Sequence, residues 1–334
     1  MGKDEKIYSY WAAAISGLEE VAREEMREIK GVHFEQSEKG RDYTRLFFSY
    51  ERSPQSLLAI RSIDGVYAIL ASINGITVGK PGLERIKNQL AKVDMGPAKR
   101  LAQALDAGLV SDCVQINVTV QGHHRFRAAD LAKEAQHIFA TAHGMGAANG
   151  KNGLRLQIQV KGRSAVLGMK LQQAEREPNR AMAYCLGHLL GLEPSDQVLW
   201  LRRDSAEAEE LHHAFGAGVW VGLPANGKGV GAASRGFYRD DSDLPIIDAA
   251  CSHVLANLRA TDSLALLSEL ARILPPGGIA VVEVEKPELF VAALRGIAFD
   301  IAAALPVQSR GRKRILFVLE RLPNEGLLQI AADS

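Results

Sequence analysis

Gln197-Val198-Leu199-Trp200-Leu201-Arg202-Arg203-Asp204-Ser205-Ala206-Glu207 opens the stretch that decides the fold of this chain. Residues 198–201 are an unbroken apolar run of the length of a buried strand, residues 206–214 follow with helical spacing, and Val219-Trp220-Val221-Gly222 repeats the strand signal. Strand, helix and strand at this spacing form the opening unit of a doubly wound α/β sheet. A nucleotide-binding version of that unit carries glycines in its first turn, because bare backbone must approach the ligand there. Here the turn reads Arg202-Arg203-Asp204-Ser205-Ala206-Glu207, without a glycine. The framework is present and the binding chemistry is missing.

Working outward, residues 180–190 predict a helix leading into this unit. Beyond it, Ile246-Ile247 and Val254-Leu255 bracket a strand region, residues 264–274 form an amphipathic helix, and Pro275-Pro276-Gly277-Gly278 is a turn. Residues 279–284 form a strand and residues 314–319 close the sheet. The reading is a Rossmann-like domain over 180–334 that ends in an antiparallel hairpin. Residues 173–179, polar and containing Pro178, read as a linker.

Before the linker, residues 76–172 form an α+β unit. It begins with helices at 83–93 and 97–107, followed by alternating strands at 114–120 and 154–160 around a helix at 128–142. A third strand, 164–169, follows the turn Lys161-Gly162-Arg163. Residues 1–75 alternate strand (7–15), helix (17–30), strand (43–50), short helix (56–62) and strand (66–73). That order suggests a ferredoxin-like split β-α-β domain.

A chain of 334 residues is ordinarily two or three domains. Its 40 lysines and arginines balance 39 aspartates and glutamates, so any nucleic-acid surface must come from local clustering. Cys113, Cys185 and Cys251 lie far apart, with no CxxC or Cys/His spacing, which argues against a structural metal site and a disulfide framework. They read as reduced thiols. No apolar run reaches the ~18 residues of a membrane span, and Met1-Gly2-Lys3-Asp4-Glu5-Lys6 lacks the apolar core of a signal peptide. The expected location is the cytoplasm.

The order of ferredoxin-like unit, basic α+β unit, linker and α/β domain resembles the THUMP-domain RNA methyltransferases, which modify guanine in tRNA or rRNA. Two stretches carry the resemblance most closely. Residues 114–170 look like a THUMP domain, and Leu267-Ser268-Glu269-Leu270-Ala271-Arg272-Ile273-Leu274-Pro275-Pro276-Gly277-Gly278 looks like a helix and turn common to class I methyltransferases. The family implies three stations for S-adenosylmethionine and the target base. Its glycine-rich turn falls on residues 200–207, where only Ser205 matches. The ribose-binding acid follows a strand whose end, Val221-Gly222, is kept, but the acid's own position is Pro224. The Asn/Asp-Pro-Pro-Tyr/Trp station falls on Ala256-Asn257-Leu258-Arg259-Ala260, where Asn257 stands for the polar residue and the proline and aromatic are absent. Asp240 matches a position that meets the adenine amine, and it also fits a solvated acidic turn.

From residue 121 to 170 the chain carries Arg125, Arg127, Lys133, Lys151, Arg155, Lys161, Arg163 and Lys170 against Asp130 and Glu134 alone. His123, His124 and Phe126 stand in the same stretch. Cations on one face hold phosphates by releasing counterions. A second cluster, Arg310-Gly311-Arg312-Lys313-Arg314, precedes the last strand as a hairpin tip. Phe126 fits the core better than a stacking platform, because it precedes the 128–142 helix as a staple would. The leading expectation is a binder of tRNA or rRNA with a degenerate methyltransferase domain and no bound cofactor, Arg202 and Arg203 filling the vacated site. The alternatives are an active S-adenosylmethionine-dependent guanine-N2 methyltransferase, using Asn257 and Asp240, and a non-catalytic subunit with a protein partner.

Overall fold

The computed structural model describes residues 9–40, 43–106, 110–148, 153–171, 180–202, 205–223, 234–238, 244–258, 264–309 and 312–323. It comprises two compact units. The first takes in the described residues of Met1–Ala14, Glu25–Glu38 and Arg45–Arg176, and the second those of Ile15–Glu24, Lys39–Thr44 and Glu177–Ser334.

Over residues 9–74 the elements run β1 (Ser9–Ala14), α1 (Glu19–Glu28), β2 (Val32–Lys39), β3 (Thr44–Tyr50), a 3-10 turn (Pro54–Ala59) and β4 (Ile63–Asn74). They continue as α2 (Lys80–Leu90), α3 (Gly96–Leu105), β5 (Val110–Gln121), α4 (Ala128–His143), β6 (Gly146–Ala147), β7 (Gly153–Lys161) and β8 (Ser164–Lys170). One sheet gathers all eight strands in the order β2-β3-β1-β4-β8-β7-β5-β6. The long β4 joins the two halves, pairing antiparallel with β1 on one side and with β8 on the other.

The join is locked by aromatic packing. Trp11 and Tyr67 face each other across the β1–β4 pair and their rings stack at 3.8 Å, within 3° of parallel. Gly168 of β8 leaves the space for this stack: a Cβ there would stand 2.8 Å from Trp11 Nε1 and 3.2 Å from Tyr67 Cβ. β2 is a strand that the apolar pattern does not announce. Its residues Val32-His33-Phe34-Glu35-Gln36-Ser37-Glu38-Lys39 are mostly exposed and polar, as suits a sheet edge that must not pair with other chains.

The second unit contains α5 (Arg180–Leu189), β9 (Gln197–Leu201), α6 (Ser205–Phe215), β10 (Gly218–Leu223), β11 (Ser234–Tyr238) and β12 (His253–Leu258). It ends with α7 (Leu264–Ile273), β13 (Ile279–Val284), α8 (Pro287–Ala293), β14 (Phe299–Ser309) and β15 (Arg312–Arg321). The sheet order is β11-β10-β9-β12-β13-β15-β14. Strands β9 to β13 are parallel, and β15 runs antiparallel between β13 and β14. This is the Rossmann-like α/β architecture with a closing antiparallel hairpin.

Strands β9, β10, β12, β13, β14 and β15 feed two cores by alternation. Val198, Trp200, Val221, Leu255, Val281 and Leu316 pack in one core with Leu186 of α5 and Leu211 of α6. Leu199, Leu201, Val254, Ala256 and Val282 pack in the other with Leu267 and Leu270 of α7. Burial on both faces is why the parallel strands read as continuous apolar runs. Gly17, at φ +97°, lets the chain before α1 approach Pro306 of β14, where a Cβ would collide with the Pro306 carbonyl.

Gly168→Ala should force the Trp11–Tyr67 stack apart and destabilise the first unit by about 1–3 kcal/mol, the usual cost of overpacking. Urea unfolding of the variant beside the parent measures it. An unchanged midpoint would mean that the stack yields without cost.

Candidate functional site

The chain leaves β9 toward β10 and β11 on one side and returns to β12 on the other, so the carboxyl ends of β9 and β12 flank a topological switch point. In open parallel sheets the crevice at that point is where ligands bind. Leu201 pairs with Ala256, and Asn257 pairs with Glu283 of β13. By strand alternation Trp200, Arg202, Asn257 and Glu283 all lie on the α5–α6 face.

The turn after β9 fills this edge with charge. Arg202 Nε is 3.3 Å from Glu207 Oε2, and its Nη1 is 2.6 Å from Glu283 Oε2. The guanidinium carbon lies 5.4 Å from the centre of the Trp200 ring. Glu283 Oε1 accepts a hydrogen bond from Arg314 Nη1, whose Nη2 reaches Glu285 Oε1 at 3.2 Å. Glu207 is 2 % exposed and Glu283 5 %. Carboxylates this deep stay charged only when paired, and removing one partner of such a pair costs about 3–5 kcal/mol. The network is therefore structural machinery as well as a plug.

S-adenosylmethionine, which the resemblance implies for this edge, does not fit the residues present. Where a bare turn should meet the cofactor, a guanidinium enters the edge and ends between two carboxylates. Ser205 is the first residue of α6, Gly222 is buried near the end of β10, and Asn257 is half-buried beside Glu283. Arg203 and Asp240 lie outside the described residues. Among the described residues Asn257 pairs with Glu283 beside the network, and Arg314, expected as part of a basic hairpin tip, belongs to it. Sequence reasoning missed Glu207 and Glu283; the signal for Glu283 is a lone glutamate inside the otherwise apolar β13, whereas Glu207 shares α6 with Glu209 and Glu210 and nothing in the sequence marks it out.

The basic residues of the first unit gather chiefly at one end of its sheet. The Gly162 N–H donates to the Gln121 carbonyl at 3.0 Å, tying the β7–β8 turn to the exit of β5. His123, Arg125 and Arg127 are exposed on that exit, Arg163 is exposed on the turn, and Lys133 is exposed on α4. Arg127 starts α4, and its backbone N–H donates to Asp130 Oδ2 at 3.0 Å. His124 is half-buried, its ring 4.9 Å from that of Phe126, which is in the core. Lys161 is paired with Glu38 at 2.9 Å. Lys170 stands at the far end of β8, about 20 Å along the strand from the turn, and Lys151 lies outside the described residues. In the second unit Arg312 and Lys313 are exposed, whereas Arg314 is engaged by Glu283 and Glu285.

The opposite, amino-terminal edge of the second sheet brings together Asp196, Ser252 and His253. Ser252 Oγ donates to Asp196 Oδ1 at 2.9 Å and lies 3.0 Å from His253 Nδ1. A proton relay needs the histidine between the other two, and here the serine is in the middle. The cluster ties the start of β12 to β9, since Gln197 N–H also donates to Ser252 Oγ. Burial pushes the His253 pKa below its ordinary 6.5, against the weaker opposing pull of Asp196. Among the described residues no group of three metal-ligating side chains occurs, and no helix is long and apolar enough to cross a membrane.

No family model matches the chain, and no curated protein matches its sequence. Solved structures do match. TrmN from Thermus thermophilus is similar over 94% of this chain and 99% of its own, with a TM-score of 0.69 and 19% identity. A possible methylase from Clostridium difficile 630 is similar over 95% and 98%, with a TM-score of 0.64 and 8% identity. A putative methyltransferase complexed with SAH is similar over 96% and 99%, with a TM-score of 0.60 and 12% identity. At these identities the likeness is one of fold, and it extends over nearly the whole of each chain.

The depressed His253 pKa has a stability consequence. The unfolded chain binds the proton more tightly, so the contribution is full above about pH 6.5 and is lost as pH falls through the lower folded value. Urea midpoints should fall between pH 7.5 and pH 5 in the parent and fall less in His253→Gln. Equal acid losses in both would place the sensitivity elsewhere.

Proposed function

We propose that this protein binds structured RNA, tRNA or rRNA, through its first unit, and that its methyltransferase-type second unit serves as a non-catalytic platform. The observation that carries the second half is the Arg202 guanidinium lodged between Glu207 and Glu283 at the switch point. The turn after Leu201 offers the methionine part of a cofactor no glycine, and the Arg202 guanidinium is held by two buried carboxylates beside it. The exocyclic amine of a guanine would meet no proline and aromatic after Asn257.

Two features support the RNA half. The β2-β3-β1-β4 order agrees with the reading of a ferredoxin-like split β-α-β unit. The run of α2, α3, β5, α4, β7 and β8, with β5 parallel to β7 and β7 antiparallel to β8, agrees with the THUMP-like reading. His123, Arg125, Arg127 and Arg163 then present a cationic edge, suited to phosphates rather than to base readout. Arg312 and Lys313 extend the same chemistry on the second unit, and the cytoplasm is the matching location.

The enzyme reading is supported by the similarity of fold to TrmN, to a possible methylase and to a putative methyltransferase complexed with SAH. Calorimetry separates the two. No binding of S-adenosylmethionine up to roughly millimolar, a free energy weaker than about −4 kcal/mol, is the expected result; micromolar binding would restore the enzyme. For RNA, affinity should fall steeply with salt. The double variant Arg125→Glu/Arg163→Glu should lose at least about tenfold affinity and flatten that salt dependence. An unaltered slope would remove this edge from the RNA contact.

A further inference from the structure

Among the described strands, three of the four that end the two sheets are guarded against further pairing. β2 is largely polar and bears Glu35, Glu38 and Lys39; β14 has Pro306 and a register shift between Ile301 and Ala303; β11 has Arg235 beside Gly236. The fourth is β6, which is two residues long and covers β5 at Cys113 and Val114 alone. Beyond Val114 no described strand flanks the outer edge of β5.

The open run is Gln115-Ile116-Asn117-Val118-Thr119-Val120-Gln121. It contains no charge, proline or glycine, and its register with β7 is unbroken from Val114 to Gln121. Such a run is a ready template for another strand. Its apolar side chains are left partly open too. Leu156, Ile158 and Val160, their partners on β7, are at most 1 % exposed, whereas Ile116, Val118 and Val120 are half-buried.

The backbone is oriented for pairing. The Val114 carbonyl points outward and accepts from the Ala148 N–H at 2.9 Å, while the Gln121 carbonyl points inward and accepts from the Gly162 N–H at 3.0 Å. Strand alternation then turns the N–H and C=O of Ile116, Val118 and Val120 outward. The pattern of residue types reads the same in both directions. About Val118, Ile116 matches Val120, Asn117 matches Thr119 and Gln115 matches Gln121. A strand with that symmetry is complementary to its own reverse, which is the condition for an isologous twofold contact.

We propose that a second copy of this chain pairs antiparallel with this edge, Val118 opposite Val118, Ile116 opposite Val120 and Asn117 opposite Thr119. Their outward groups exchange about six backbone hydrogen bonds, and the β-branched side chains of both copies meet on one face. The fold bounds the same window, with β6 at one end and Gly122 at the other, where a φ of +109° turns the chain away. Antiparallel pairing also sets unlike ends together. The run follows Asp112, whose side chain is 76 % exposed even as it holds Lys99 at 2.7 Å, and it leads out to the exposed His123 and Arg125. A pairing of this length buries less than the roughly 1,000 Å² of a stable interface, so the dimer dissociates on dilution.

Sedimentation velocity on the full chain, from about 1 to about 200 μM, should show monomer giving way to dimer. Asn117 and Thr119 face each other across the twofold, so charges placed there report both register and direction. Asn117→Lys/Thr119→Lys sets like charges opposite each other and should raise the dissociation constant at least about tenfold. Asn117→Lys/Thr119→Glu sets each lysine opposite a glutamate and should dimerise as well as the parent. A parent monomeric throughout, a lysine pair that dimerises like the parent, or a lysine and glutamate pair that separates like the lysine pair overturns the proposal. Should the lysine pair fail to fold, Val118→Pro removes the central donors and spares the ladder to β7, because the Val118 N–H faces outward. Monomer is then expected; a dimer as tight as the parent's, or failure of both variants to fold, overturns the proposal. No RNA enters the measurement, so its result is independent of the RNA reading.

Discussion

A carboxylate buried at a sheet edge must be neutralised, and in this protein that requirement organises the place where the fold would put a ligand. Glu283 lies inside β13, a strand otherwise made of Ile279, Ala280, Val281, Val282 and Val284, and it cannot reach bulk water. Arg202 and Arg314 come to it from β9 and β15, from its two sides in the sheet. The last turn of β9, the start of α6 and the end hairpin are thereby tied together by charge. The same ties fill the switch point.

The consequence follows from geometry rather than from residue type alone. Parallel strands with a reversal of direction between β9 and β12 open a crevice whatever the sequence. Whether the crevice admits a ligand depends on what the first turn puts there. Glycines leave it open for backbone hydrogen bonding. Arg202 places a flexible, permanently charged side chain at the same point and finds two acids waiting. The Rossmann-like framework stands on its two cores, fed by alternate residues of β9, β10, β12, β13, β14 and β15.

The first unit is governed by a different constraint, the continuity of one sheet through β4. A twelve-residue strand serves β1 with one edge and β8 with the other. The Trp11–Tyr67 stack over Gly168 fixes the packing where they meet. That continuity carries the β5 exit and the β7–β8 turn to one end, which concentrates His123, Arg125, Arg127 and Arg163 while sending Lys170 to the other.

β9, β10, β13, β15, α5, α6 and α7 of the second unit, and most elements of residues 80–170, were legible in the sequence, because buried parallel strands and amphipathic helices write strong periodic signals. The sequence by itself determined also that the first turn lacked glycine. It left β2 unread, since an edge strand of exposed polar residues has no apolar pattern, and α8 and β11 went unread as well. Tertiary structure alone decided which charges meet. Glu207, Glu283 and Arg314 are separated by 76 and 31 positions along the chain, and nothing local links them. Only strand order and register set Glu283 beside Asn257 and between the two arginines. Pairing over such separations is a property of the folded sheet, so the lysines and arginines that looked alike in sequence divide there into exposed cations and held ones.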